Sequence, residues 1–147
     1  MKIALLAAAI AALSSPVLAQ EWQLVGVGNG MMAMRTDNIE RTEHRAFANV
    51  LLVWDFPGED GTEYTVSYVE FDCWERDRFR MATTTAFRVR GVVNSPPFDG
   101  GEWEEVRAGS LAETGFKIAC RQQRADRSRN FRDRDPHDIA ADYLRGR

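Results

Sequence analysis

The stretch that most constrains this chain is residues 46–56, its longest apolar run after the N-terminal segment. In extended backbone, successive side chains point to opposite faces. One face then carries Ala48, Val50, Leu52, Trp54 and Phe56, and the other carries Phe47, Leu51 and Val53. A strand apolar on both faces needs cover on both, at least in part, and so belongs at the centre of a sheet.

The neighbouring segments also read as strands. Residues 22–27 open apolar and run into Gly26-Val27-Gly28-Asn29-Gly30. Asn29-Gly30 is a hairpin signal because both residues tolerate positive φ, with residues 31–35 as the returning strand. A turn cluster at residues 57–61 follows the central run. Residues 64–73 then place Val69, Phe71 and Cys73 on one face, and Tyr68, Glu70 and Asp72 on the other. Residues 78–90 alternate more clearly: Phe79, Met81, Phe87 and Val89 point one way, and Arg78, Arg80, Arg88 and Arg90 the other. Helix comes late. Ser110-Leu111-Ala112-Glu113 has capping-box spacing, and Leu111, Gly115 and Ile118 share a face up to Cys120. Gly115 weakens that helix in isolation, so docking and a disulfide are expected to hold it.

The N-terminus is a different kind of sequence. Met1-Lys2, an apolar run over residues 3–13, and Ser14-Ser15-Pro16-Val17-Leu18-Ala19 make a secretory signal cut after Ala19. The run is too short to be a permanent membrane span, and nothing downstream reaches that length. The formal charge of −3 hides two opposed parts. Residues 20–120 carry 10 basic and 17 acidic side chains, whereas residues 121–147 carry 8 arginines and 5 aspartates. The expected organisation is a signal (1–19), an acidic body (20–120) large enough for one core, and an Arg-rich tail (121–147). In the tail, Asp135-Pro136 resembles an N-cap and first helical position, with Ile139, Tyr143 and Leu144 on the apolar edge of a short helix near 136–145. The tail has three readings: a solvated segment, a nucleic-acid-binding segment, or a segment docked on the acidic body by charge. Export argues against nucleic acid as a partner. Cys73 and Cys120 are the only cysteines, and two cysteines in an exported chain most simply form one disulfide. Closing so long a loop stabilises a fold by about 4 kcal/mol in the chain-entropy model.

The landmarks come in a recognisable order: Glu21-Trp22, Asp37-Asn38-Ile39-Glu40-Arg41, Val53-Trp54-Asp55-Phe56, Asp72-Cys73, Trp103-Glu104-Glu105-Val106, Gly109-Ser110 and Ala119-Cys120. This ordered set resembles the surface-adhesin protein E family of Gram-negative bacteria across residues 21–120. The resemblance implies a β-dominated α+β fold: an antiparallel sheet of about six strands with a C-terminal helix. It also implies a disulfide joining the Asp72-Cys73 strand to that helix, and adhesion to host extracellular proteins such as vitronectin, laminin and plasminogen. Two features depart from the family pattern. The cleavage region, Val17-Leu18-Ala19-Gln20-Glu21, has no Cys to acylate, and Lys117 is the one lysine after the signal.

Other motifs carry little chemistry. The Gly26-x-Gly28-x-Gly30 spacing is not that of a dinucleotide loop. His44 sits in a polar connection and His137 at a helix start. Glu59-Asp60 and Glu104-Glu105 lie on a turn and near a strand edge, without the apolar pocket a carboxylic acid catalyst needs. No catalytic residue, cofactor or metal ligand is assigned. The candidate surface is the Arg78, Arg80, Arg88 and Arg90 stripe, read either as a grip for anionic ligands or as cross-strand partners of Glu70 and Asp72. The expected protein is an exported, non-enzymatic, adhesin-like binder in the periplasm or at the cell surface. Its partner would be an extracellular or envelope macromolecule, either a protein or an anionic glycan. The alternative is a periplasmic inhibitor or accessory factor of the lysozyme-inhibitor kind, with residues 95–101 as the loop that enters an enzyme cleft.

Overall fold

A computed structural model describes residues 20–93 and 96–147. The expected signal, Asn94, and Ser95 at the start of the expected inhibitory loop lie outside the described residues. The strands are β1 (Glu21–Val27), β2 (Gly30–Arg35), β3 (Glu40–Arg41), β4 (Arg45–Trp54), β5 (Tyr64–Asp72), β6 (Arg78–Phe87), β7 (Phe98–Asp99), β8 (Glu104–Glu105) and β9 (Asn130–Arg132). The helices are α1 (Leu111–Ala119) and α2 (Pro136–Arg145), with a 3-10 turn at Arg127–Arg129. Among the described residues the strands form one antiparallel sheet in the order β7-β6-β5-β4-β2-β1-β9, with β3 on β4 and β8 on β6. Five long strands do most of the pairing. The four short ones come from connections and from the tail, which is why the sheet has nine strands where about six were expected. β7 and β8 pair along the outer side of β6 and occupy an edge that would otherwise be open.

β4 lies near the middle and is covered on both faces. Ala46, Ala48 and Val50 join Met32, Met34, Val69 and Phe71 in a core beneath Phe116, Ile118 and Ala119 of α1. Leu51 and Val53 join Trp22, Met31, Ala33 and Tyr64 in a second core beneath Ile139 and Ala140 of α2. The tail therefore provides the cover for half of the sheet's second face. Phe131 of β9 pairs opposite Trp22 of β1, and Tyr143 and Leu144 pack on the same core. Charge plays a small part in this docking. Arg147 pairs with Asp55, which also accepts from the Tyr143 hydroxyl, while Arg134 and Arg145 both pair with Asp142 inside the tail. Apolar burial and strand pairing hold the tail in place.

Local chemistry explains the helix ends. Ser110 accepts from the Glu113 N–H at 3.1 Å, as capping-box spacing requires. Glu113 reaches one residue further back than expected and accepts from the Gly109 N–H at 2.7 Å. Asp135 accepts from the His137 N–H at 2.8 Å, with Pro136 in the first turn of α2. Cys73 and Cys120 form the disulfide, with Cα atoms 5.5 Å apart, tying the end of β5 to the end of α1.

The hairpin expected at Asn29-Gly30 forms, with β1 and β2 pairing antiparallel from Val27 and Met31, and Gly30 has a further role. It is the first residue of β2, paired with Trp54, and a Cβ there would lie 2.2 Å from the Val53 carbonyl oxygen. Its φ of +151° adds to the need for glycine. Gly30→Ala should lower unfolding free energy by roughly 3 kcal/mol or more in a denaturant titration, since backbone rather than a flexible side chain blocks the added methyl. Truncation before Asp135 should expose the second core and produce dye-binding or aggregating protein. Raising the salt concentration on the intact chain should leave the α2 amide signals unmoved, because burial rather than charge holds the helix.

Candidate functional site

α2 crosses only the end of the sheet near the β4–β5 turn, so the other half of that face has no helix over it. Its polar end is built on Asp72, the last residue of β5 and 2 % exposed. Arg78 sits opposite it on β6, donating from Nε at 2.9 Å to one carboxylate oxygen and holding Nη2 2.8 Å from the same oxygen. Arg45, opposite on β4, brings Nη1 to 3.0 Å of the same oxygen, off the straight hydrogen-bond line. The next pair along is Glu70 with Arg80, at 2.6 Å. Burial alone would raise the Asp72 carboxyl, but donation from Arg78 and from the Trp74 and Glu75 amides, with the nearby Arg45 charge, outweighs it. The net effect holds Asp72 below the ordinary value of 3.8.

Trp103 caps this cluster. The guanidinium carbons of Arg45, Arg78 and Arg80 lie 4.7, 4.8 and 4.9 Å from its ring centroid. Two carboxylates offset two of the three positive charges from below, and the π face attracts the cations from above. This is a closed electrostatic unit, with Arg80 its most exposed arginine at 39 % of its side chain.

The four arginines of the sequence stripe do not share one surface. Tyr68 pairs with Thr83 but Val69 with Met81, so Ala82 is an extra residue that shifts the register. Beyond this bulge Thr83, Thr85 and Phe87 continue the face that Arg78 and Arg80 began. The strand ends at Phe87, and Arg88 and Arg90 lie past it. The Arg88 guanidinium rests against Gly61. The structure thus places Arg78 and Arg80 together and separates Arg88 and Arg90 from them.

Between this cluster and the start of α2 lies a groove of about 620 Å³. Asn49, Val66, Tyr68, Thr83 and Thr85 line its floor, and Phe87 with Asp135, Pro136 and His137 form its wall. Tyr68 stacks on Phe47 with ring centroids 5.9 Å apart. Tyr64 stacks on Phe87 at 5.0 Å, and its hydroxyl lies 2.9 Å from His137 Nδ1. Burial first, then the charges of Asp135 and Glu63, push the Tyr64 phenol up to about 12, so it stays a neutral hydrogen-bond partner. Rings beside hydroxyls and an amide are suited to contacts that are partly apolar and partly hydrogen-bonded. Sequence reading missed Arg45, Trp103, Tyr64 and His137 as members of this surface, because each comes from a separate element.

A family model described as Surface-adhesin protein E matches residues 22–121. The chain belongs to that family. No curated protein and no solved structure matches it. The match takes in β1 to α1 and the disulfide, while β9 and α2 lie beyond it. Family membership makes the chain adhesin-like and suggests an exported or cell-surface protein with an external partner. No helix among the described residues is long and apolar enough to cross a membrane.

Asp72 gives this site a pH signature. A carboxyl held below its unfolded value stabilises the fold above that value and loses the contribution as pH falls through the folded one. Asp72→Asn should cost about 3 kcal/mol near neutrality, where it breaks a buried pair, and progressively less relative to wild type below pH about 4. Denaturant midpoints measured across that range check both the size and the direction.

Proposed function

We propose that the chain is an exported, non-enzymatic, adhesin-like binding protein of the bacterial cell envelope. Its contact surface is the uncovered half of the α2 face, and its ligand is an extracellular or envelope macromolecule. The observation that carries this reading is the groove of polar and aromatic side chains on that half, in a chain of a surface-adhesin family. The Arg78 and Arg80 charges are matched by Asp72 and Glu70, so these arginines shape the rim, and the rings, hydroxyls and amide of the floor supply the contacts. Export rests on the signal-like segment at residues 1–19.

The inhibitor alternative has less geometric support. Phe98 and Asp99 pair with Thr84 and Thr83, and the Gly100 and Gly101 amides donate to the Ala82 and Met81 carbonyls. This part of the loop lies along β6 and does not project as a wedge.

Tyr68→Ala combined with Thr83→Arg removes a stacking ring and fills the groove without touching either core. The double variant should keep its melting temperature and lose retention of any matrix or envelope protein that the wild type retains. Unchanged retention would count against this surface. Proteolysis of intact cells should cleave the protein if it is displayed; cleavage only after permeabilisation would rule out adhesion and favour the periplasmic alternative. A direct lysozyme assay tests that alternative.

A further inference from the structure

The other face of the sheet carries a second groove, formed where the chain leaves α1. Arg121, at a φ of +61°, turns the chain out of the helix, and the Gln122 and Gln123 amides donate back to the Lys117 carbonyl. Residues 123–127 then pass over the start of β1 and the β2–β3 connection. Between them lies a space of about 850 Å³. Four arginines line it: Arg41, Arg121, Arg124 and Arg127.

These arginines differ from those around Trp103. Among the described residues none of the four has a carboxylate within ion-pair distance. Arg41 donates to the Ala119 carbonyl at 2.7 Å and the Ile118 carbonyl at 3.4 Å, so the C-terminal end of α1 fixes the side chain and offsets part of its charge without a carboxylate. Of the three carboxylates lining the groove only Asp37 is paired with a cation; Asp126 and Glu21 accept from neutral groups and keep their charge, which leaves the lining with a net excess of two positive charges. Asp37 takes Arg35 at 2.7 Å, Asp126 takes the Ser128 hydroxyl and amide, and Glu21 takes Gln23 and Asn130.

Gln23 packs at the inner edge of the groove. Gln23 is 3 % exposed and lines the groove. Its Nε2 donates to Glu21 at 3.1 Å, which fixes the amide orientation, because the opposite placement would set oxygen against carboxylate. Its Oε1 is left with no donor. That oxygen is sealed from solvent, so it lies behind the groove wall and not on its contact surface. Ile39, Ile118 and Ala125 supply a small apolar floor.

We propose that this groove binds an anionic saccharide through its sulfate or carboxylate groups. Guanidinium forks match those oxyanions in shape and charge. Ring hydroxyls can donate to the Glu21 and Asp126 carboxylates that also line the groove, and the C–H face of a sugar ring fits the Ile39 and Ile118 floor. This site lies on the α1 face, away from the groove read above as the adhesive surface, so its failure would leave that reading standing.

The test titrates a sulfated heparin-type tetrasaccharide into the mature, oxidised full chain, followed by calorimetry and amide NMR. Resonances of Gln23, Ile39 and residues 121–127 should shift. R124S/R127S, two exposed positions, should weaken binding by about tenfold or more, whereas R90S/R107S, with the same loss of charge, should leave it within about twofold. Equal weakening by both pairs would mean diffuse charge attraction and would overturn the site, as would shifts confined to other residues. Equal binding of a poly-glutamate peptide, of anionic phospholipid vesicles or of inorganic sulfate alone would overturn the saccharide assignment.

Discussion

Burial of β4 on both faces is the constraint on which the rest of the structure depends. Ala46, Ala48 and Leu51 are wholly inaccessible and Val50 and Val53 nearly so, and no two of the long neighbouring strands alone could hide them. The covers are helices of nine and ten residues from the far end of the chain. Helices that short are marginal by themselves, and α1 contains a glycine at its point of closest approach. A side chain at Gly115 would meet the Met32 methyl at 2.7 Å, so the residue that weakens the helix also lets it lie close to β2. Sheet and helices are thus mutually dependent. The disulfide fastens one cover, and β9 fastens the other by extending the sheet before the chain turns back as α2.

Electrostatics then divides the arginines into two kinds. On the α2 face, Asp72 and Glu70 sit in the strand between Arg45 and the Arg78–Arg80 pair, and each cation is satisfied within one or two strand widths. Trp103 arrives from the loop before β8 and excludes water from above. Such a cluster specifies register: a one-residue slip of β6 would put both arginines on the apolar side with Phe71. On the α1 face three of the four arginines come from the connection after α1, and the fourth, Arg41, has Ala46 as its ladder partner, so no carboxylate stands opposite any of them. The same residue type is ion-paired in the first case and without a carboxylate in contact in the second.

What could be read from the sequence follows from how local each signal is. The two-faced pattern of residues 46–56, the Ser110 and Glu113 caps, and Asp135-Pro136 all express contacts within a few residues, and the structure contains each of them. The Cys73–Cys120 pairing was legible because no other pairing existed. The bulge at Ala82 was not legible. Period-two alternation simply continues through an inserted residue, so Arg88 and Arg90 seemed to extend a face they do not share. Asn29-Gly30 carried a turn signal, but the reason for glycine lies across the sheet at the Val53 carbonyl. The tail misled through composition: its arginines outnumber its apolar residues, yet Phe131, Ile139, Ala140 and Tyr143 place it.

That last point bears on how a family fold acquires particular surfaces. The family match ends at residue 121, and the body it covers contributes the floors of both grooves. The walls come largely from beyond it. Asp135, Pro136 and His137 close one groove, and residues 123–127 overhang the other. Substitutions in these walls leave β4 and its two cores untouched, provided that Ala125, the Asp135 cap, Phe131 and the apolar side of α2 remain. Ligand preference in this chain is therefore free to change in the tail while the sheet, the disulfide and both cores stay as they are, since fold and site rest on different residues.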